Sequence, residues 1–341
     1  MKRFALRLYT CLLISLPLIF TSCETDIDVS AEWKDITVVY GILDQNDSVH
    51  YLRINKAFLG DGNSLVYAKE SDSTSYFNDL EVTLTEKGPE GQRVLNFDTI
   101  HGVGDTSGLF YHDPQILYES SFTMPEDIND NDYEYDLLIR NKLTGKEIRS
   151  STAIVNSGVI TTPRSGQRFI DFLLDNNLNV VWQTGKNARR YDVIIRFWYQ
   201  EVMNFTDTTD RYFDWFIGSA KTDRLDGGEE KSVQYRPTAL YDVAKIQIPR
   251  NDGKESEVTS RLTNKVEFTL VAGGDAMNTY IEVNSPSTGI VQDAPDYSNI
   301  QNGYGLLSSR YIQKVSIEVG AKTEAIFIGI NELKFVDKLG N

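Results

Sequence analysis

Two cysteines and three histidines in 341 residues leave little material for a zinc site or a histidine-centred catalytic centre. His50, His101 and His112 each stand without a second His or Cys at metal spacing, and no His-Glu-x-x-His string occurs. Nucleophile signatures are missing as well. There is no Gly-x-Ser-x-Gly elbow and no Ser-x-x-Lys with its companion strings. Gly60-Asp-Gly62 and Gly102-Val-Gly104 lack the strand-to-helix setting that aims a helix N-terminus at a phosphate. The chain is therefore not read as an enzyme, and no cofactor is implied. Basic charge is scarce too: 34 Lys+Arg stand against 49 Asp+Glu, a formal charge of −15. A nucleic-acid binder needs a basic face to neutralise phosphates, so that class is excluded. The longest apolar run, Leu8 to Phe20, is shorter than the roughly 20 residues of a membrane-spanning helix.

What remains is the composition of a folded protein, 40% hydrophobic and 24% charged, which rules out collagen-like, coiled-coil and wholly disordered chains. The length calls for two domains, because one hydrophobic core rarely grows past about 250–300 residues.

The N-terminus reads as an address. Lys2, Arg3 and Arg7 precede the apolar run, which ends in Phe20-Thr-Ser-Cys23. A positive start and a short apolar core make a signal peptide, residues 1–22. The string before the cysteine resembles a bacterial lipobox, with Phe20 where Leu or Val is usual. That resemblance implies a lipid on Cys23 and attachment to a membrane through it. Cys11 lies inside the discarded core, so Cys23 has no disulfide partner in the mature chain. Each buried methylene of an attached acyl chain adds about 0.8 kcal/mol of membrane affinity. Glu24-Thr-Asp26-Ile-Asp28 follows, within an acidic tether at 23–32. This cluster resembles the export signal of Bacteroidetes lipoproteins placed on the outer leaflet of the outer membrane, facing the cell exterior.

From residue 33 the pattern is of strands. Outside the signal no 12-residue stretch has a convincing 3.6-residue apolar period, whereas period-2 runs are many. Leu80, Val82 and Leu84 alternate cleanly. Tyr133–Arg140 turns through Asn141–Gly145 into Lys146–Val155, similar to the closing hairpin of an immunoglobulin-like sandwich. Leu178–Trp182 followed by Tyr191–Tyr199 resembles the central strands of a fibronectin type III-like domain. Asn264–Ala272, Thr279–Val283 and Tyr311–Val319 read as later strands, and Tyr212–Ile217 and Thr238–Ala244 as short helical insertions. The expected fold is mainly β: two β-sandwich domains, 33–157 and 158–341.

Two groups carry candidate chemistry. Asp127-Ile-Asn129-Asp-Asn131-Asp132 places oxygen ligands on alternate residues, as calcium requires, and resembles the cadherin linker string. It departs from the helical calcium loop at Asp132, where Gly is needed, and at Leu138, where Glu is needed. An Asn/Asp-rich turn into the next strand accounts for it as well. In the second half, if Tyr191, Val193, Ile195, Phe197 and Tyr199 face the core, Arg196 and Trp198 face outward. They could stack on a sugar ring or a partner side chain, or be covered by Tyr212–Ile217. Asp47-Ser-Val49 and Asp98-Thr-Ile100 resemble O-glycosylation strings of exported Bacteroidetes proteins and fit the address.

Near the C-terminus, Asn299-Ile-Gln-Asn-Gly-Tyr-Gly-Leu-Leu307 resembles an Asn-Ile-x-Asn-Gly-x-Gly-Leu/Ile-Phe segment of Bacteroidetes surface lipoproteins with no assigned activity. Leu307 stands where that pattern has Phe. Val38-Val-Tyr-Gly-Ile-Leu43 is similar too, so the likeness spans most of the mature chain. Those families are commonly encoded beside TonB-dependent transporters, which implies a non-catalytic accessory that captures nutrient for such a transporter. The alternative is a surface structural protein resembling a fimbrial anchor or tip subunit. Gly303 and Gly305 permit positive φ, so the segment is expected to form a tight loop into the last strand.

Overall fold

The computed structural model describes residues 34–59, 75–103, 115–173, 177–248, 255–285 and 296–337. The signal peptide and tether with Cys23, Glu24, Asp26 and Asp28 lie outside these residues, as do Gly60, Gly62, Gly104 and His112.

The fold is mainly β, built of large sandwich-like sheets. The first half holds β1 (Lys34–Asp44), β2 (Val49–Leu59), β3 (Leu80–Gly88), β4 (Gly91–Val103), β5 (Gln115–Ser121), β6 (Glu134–Asn141) and β7 (Glu147–Ala153). Their sequences explain them. Leu80, Val82 and Leu84 are buried while their neighbours are not, as period-2 alternation demands. The β6–β7 turn is set by Asn141, whose Oδ1 accepts from the N–H groups of Leu143 and Thr144. Gly145 then takes φ +71° and donates its N–H to the Asn141 carbonyl. The long β4 serves two partners. Its first part pairs with β3 and its last with β5, so one strand joins the β3–β6–β7 layer to the β1–β2–β5 layer.

The second half adds β8 (Val159–Thr162), β9 (Phe169–Ile170), β10 (Leu178–Gln183), β11 (Ala188–Met203), β12 (Asp207–Lys221), β13 (Glu230–Tyr235), α1 (Ala239–Gln247), β14 (Val258–Gly274), α2 (Asp275–Asn284), β15 (Tyr304–Val319) and α3 (Ala321–Gly329). The large sheet runs β12-β11-β14-β15-β1-β2-β5-β4-β3-β6-β7, with β9 beside the end of β15, and a smaller sheet runs β13-β10-β8. Tyr191, Val193, Ile195, Phe197 and Tyr199 all point into the second core, as the alternation predicted.

Two expectations are corrected. Tyr212–Ile217 is not helical but the middle of β12. There Phe213 is buried against Phe197, and β11 supplies the pairing that a local reading could not see. Thr279–Val283 is not a strand but part of α2. Its Tyr-Ile-Glu-Val string has strand-like composition, yet Asp275 stands in the helix's first turn and Asn278 Nδ2 donates to Glu282 one turn on. The expected helix at Thr238–Ala244 is present as α1. Missed altogether was α3, whose free N–H groups at Lys322 and Thr323 are capped from a distance by Asp171 Oδ1 (3.1 and 3.0 Å).

Along the chain, the change from one hydrophobic cluster to the other falls between Ile154 and Val155. The chain then comes back. Ile300 and Leu307 belong to the first cluster, although they follow the whole second half. The reason is β15. Its Tyr304–Arg310 part pairs parallel with β1, and its Arg310–Glu318 part pairs antiparallel with β14. The segment expected as a loop is thus a short clamp followed at once by strand. Asn299 Nδ2 donates to the Leu307 carbonyl, and Asn299 Oδ1 accepts the Leu307 N–H (2.7 and 2.9 Å). Of the two glycines, Gly305 takes positive φ, at +119°. Gly303 is needed for closeness instead, since a Cβ there would lie 2.7 Å from the Thr37 carbonyl oxygen. Ser309 ties the crossing point, accepting the Val155 N–H and donating to the Ala153 carbonyl (2.9 and 2.7 Å).

Candidate functional site

The outward face of β11, β12 and β14 is built by pairing. Register sets Arg196 opposite Asp214 and Trp198 opposite Tyr212. Arg196 Nε and Nη2 donate to the two carboxylate oxygens of Asp214 at 2.7 and 2.8 Å, a planar fork. That partner holds the guanidinium pKa above its ordinary value. The same guanidinium lies 3.9 Å from the centre of the Tyr212 ring, and Tyr212 meets Trp198 at 4.9 Å. Lys265 Nζ stands 5.5 Å from the Trp198 ring.

The sequence therefore placed Arg196 and Trp198 together on the outer face, and the structure adds what covers them. Trp198 is half-buried, and Tyr212 lies against it. The rings that stand out are Tyr212, 43% exposed, and Phe216, 56% exposed. Around them the charges are paired: Arg190 with Asp192 and Lys314 with Glu267. Such a face offers apolar ring area framed by fixed charges, which suits contact with another molecule's surface.

The Asp127–Asp132 string is used as a connector. Asp127 accepts from Tyr133 Oη and Asn131 Nδ2 (2.7 and 2.6 Å). Asn129 Oδ1 accepts from Ser157 N–H and Oγ, and its carbonyl accepts from Asn156 Nδ2. Asp132 pairs with Lys186. These bonds fasten the turn to the start of the second half. Among the described residues no group of three or more His, Cys, Asp or Glu is placed to hold a metal ion.

Sequence reasoning missed an acidic cleft of about 680 Å³ beside this turn, lined by Glu86, Glu90, Arg93, Glu126, Asp127 and Tyr133 among others. Its deepest carboxylate, Glu86, accepts from Tyr135 Oη and Arg93 Nη2, both at 2.6 Å. The hydrogen bond to Asp127 pushes the Tyr133 phenol up to about 12. The signal was present: Glu86 continues the Leu80, Val82, Leu84 face, and a carboxylate at a core position needs partners.

Of the histidines, His101 is exposed on β4, while His50 is buried and stacks on Phe122 at 4.0 Å. Burial lowers the His50 pKa below its ordinary value, against the opposing pull of Asp47 and Asp44. The folded state thus binds this proton less readily than the unfolded chain. Stability should be full above about pH 6.5 and should fall as pH drops from there through the lowered native value, by at most about 1.4 kcal/mol per pH unit. Urea unfolding at pH 7.0 and 5.5 checks this. His50→Phe should remove that part of the slope, and an unchanged slope would refute the assignment.

No family model matches the chain, and no curated relative matches it. Among solved structures it is similar to the C-terminal globular domain of an oligosaccharyltransferase from Pyrococcus abyssi. Identity there is 11% over 62% of this chain and 38% of that one, with a TM-score of 0.24. It is also similar to a DUF4785 family protein from Legionella pneumophila, at 12% identity over 69% of this chain and 52% of that one, TM-score 0.19. The calcium binding domain CBD12 of CALX1.1 matches at 8% identity over 83% and 99%, TM-score 0.16. The chain spans less than two thirds of the first two. Likeness this slight carries no argument, and the class of the protein, mainly β with sandwich-like sheets, rests on its own strands and pairing.

Proposed function

We propose that the chain is a non-catalytic lipoprotein of the outer membrane, held by lipid on Cys23 and facing the cell exterior. In this reading it serves as an accessory of a TonB-dependent transporter in nutrient capture. Two immunoglobulin- or fibronectin type III-like domains, 33–157 and 158–341, stand on an acidic tether, the Ile300–Leu307 segment of the second packing back on the first. The observation that carries the reading is the outward face of β11 and β12, where exposed Tyr212 and Phe216 are framed by the Arg196–Asp214 pair. Rings fixed on a strand pair lose little entropy on contact, so they suit a partner of matching shape. The lipobox, the Glu24–Asp28 cluster and the Asn299–Leu307 resemblance support the address.

A second reading, a fimbrial anchor or tip subunit, has one observation in its favour. Among the described residues β12 ends the large sheet, pairing with β11 alone, and such an edge can accept a strand from another subunit. Asp207, Asp210 and Asp214 along that edge oppose such addition.

The deciding experiment solubilises the native outer membrane, retrieves the protein by a C-terminal tag and identifies its companions by mass spectrometry. A stoichiometric transporter is expected, and fimbrial subunits in its place would overturn the accessory reading. The double variant Tyr212→Ser, Phe216→Ser should reduce co-purified transporter at least tenfold, equivalent to about 1.4 kcal/mol, while leaving the melting temperature within a few degrees.

A further inference from the structure

A second concavity lies where the chain leaves β8 for β9. β8 pairs with β10 in the smaller sheet, whereas β9 pairs with the end of β15 in the large one. The strand changes layers there and leaves a cleft of about 520 Å³ between them. That lies within the roughly 300–1,000 Å³ typical of small-molecule sites. Its floor is apolar: Pro163, Ile170 and Val181 line it, the first two buried. At the mouth stands Phe169, 48% exposed, with the Arg168 guanidinium 4.7 Å from its ring centre.

The polar groups are few and mostly neutral. Asp171 is the one charged side chain among the described lining residues, and its Oδ1 is engaged in capping α3. Asn177 Nδ2 donates to Gln234 Oε1, which leaves the Asn177 carbonyl oxygen as an acceptor. The amide of Asn179 makes no hydrogen bond with the described residues. Tyr235 is the informative residue. It is 6% exposed, its ring lies between Phe172 and Trp215, and its hydroxyl meets no hydrogen-bond partner among the described residues. Burial pushes this phenol up to about 12, so it stays protonated and can donate. The ring is buried but the hydroxyl opens on the cleft, where a ligand oxygen can take the place of water as its acceptor.

A ligand for this cleft has a flat apolar face for Phe169 and the floor, and hydroxyls for Tyr235, Asn177 and Asn179. It carries no charge, since none of those three groups could pair with one. We propose that the cleft binds a neutral saccharide, one ring seated against Phe169 and the apolar floor, with its hydroxyls bonded to Tyr235 and the two asparagines. A wholly apolar ligand would leave those polar groups unpaired, and a charged one would meet only Arg168, stacked on Phe169 at the mouth, and Asp171, whose Oδ1 already caps α3. The proposal goes beyond the transporter reading and stands without it, because a fimbrial subunit could carry the same cleft.

The test uses the detergent-solubilised full chain and saturation-transfer NMR with maltotriose, cellotriose, xylotriose and mannotriose as probes. At least one trisaccharide should show transfer. Tyr235→Phe, which keeps the ring, should weaken that trisaccharide about tenfold, the effect of one lost hydrogen bond. Phe169→Ala, at an exposed position, should abolish transfer with circular dichroism unchanged. Tyr235→Phe should leave the melting temperature within a few degrees, since the hydroxyl bonds no described residue and opens on the cleft. Silence from all four trisaccharides would overturn the proposal. Binding that both variants leave intact would overturn it too, as would selective binding of the amphiphilic anionic dye 8-anilinonaphthalene-1-sulfonate in the cleft.

Discussion

Replacing Gly305 with valine should unfold the junction between β1 and β15. Gly305 sits opposite Val39 in a parallel register at φ +119°, a conformation that a residue with a Cβ rarely adopts. A Cβ there would stand 2.0 Å from the Val39 carbonyl oxygen and 2.9 Å from its carbon. Both atoms are backbone, so no side chain can swing aside; the strands must part. Strain of this kind costs about 1–3 kcal/mol by itself. Parting the strands also withdraws Leu307, fully buried, from the first cluster and breaks the Asn299 clamp. The total should exceed about 4 kcal/mol, in the range kept for exceptional substitutions. Hydrogen exchange should then show protection lost together in 34–44 and 304–310. Gly145→Ala serves as the comparison, because φ there is +71° but nothing lies within 4 Å of the added Cβ. It should cost about 1–2 kcal/mol. If Gly305→Val unfolds with the same midpoint as Gly145→Ala, the junction is not held in the way described.

The same junction shows where sequence reasoning stops. Alternation in β3 and β11 is a property of neighbouring residues, so Leu80, Val82, Leu84 and the Tyr191–Tyr199 face could be read directly. The parallel pairing of β15 with β1 joins residues more than 260 positions apart, and nothing local announces it. The Asn-Gly-Tyr-Gly string gave a turn signal, and the turn is there, but it is only the hinge into a strand that serves both clusters. β12 failed for a related cause. Tyr212–Ile217 is short and aromatic, and its state is decided by β11. At the candidate face, the outward direction of Arg196 and Trp198 followed from period 2. Their engagement with Asp214 and Tyr212 depended on a register that only pairing fixes. The 520 Å³ cleft was illegible because it exists between two sheets, where β8 and β9 part.

Arg261 supplies the other large effect. It is 1% exposed, and its Nε and Nη2 both donate to Glu201 Oε1 (2.9 and 2.8 Å), itself 2% exposed. Nη1 donates to Glu255 Oε1 and to the Leu333 carbonyl, and Arg211 completes Glu201 from β12 at 3.2 Å. The Arg261 backbone also exchanges hydrogen bonds with Lys334 and Val336, so this one residue pins the C-terminal segment to β14. Arg261→Ala would leave Glu201 buried with only the partly exposed Arg211 as partner, a loss of about 3–5 kcal/mol by the rule for breaking a buried pair. Replacing both partners discriminates charge from packing. Arg261→Met with Glu201→Leu removes both fully buried charges, leaving only the partly exposed Glu255 and Arg211 without them, and should recover more than half of that loss, because desolvating two ions offsets much of their attraction. Urea unfolding of the two single variants and the double variant gives the coupling directly. A double variant as unstable as the sum of its singles would mean that the network acts through the shape of the guanidinium and its bond to Leu333, with the ion pair contributing little.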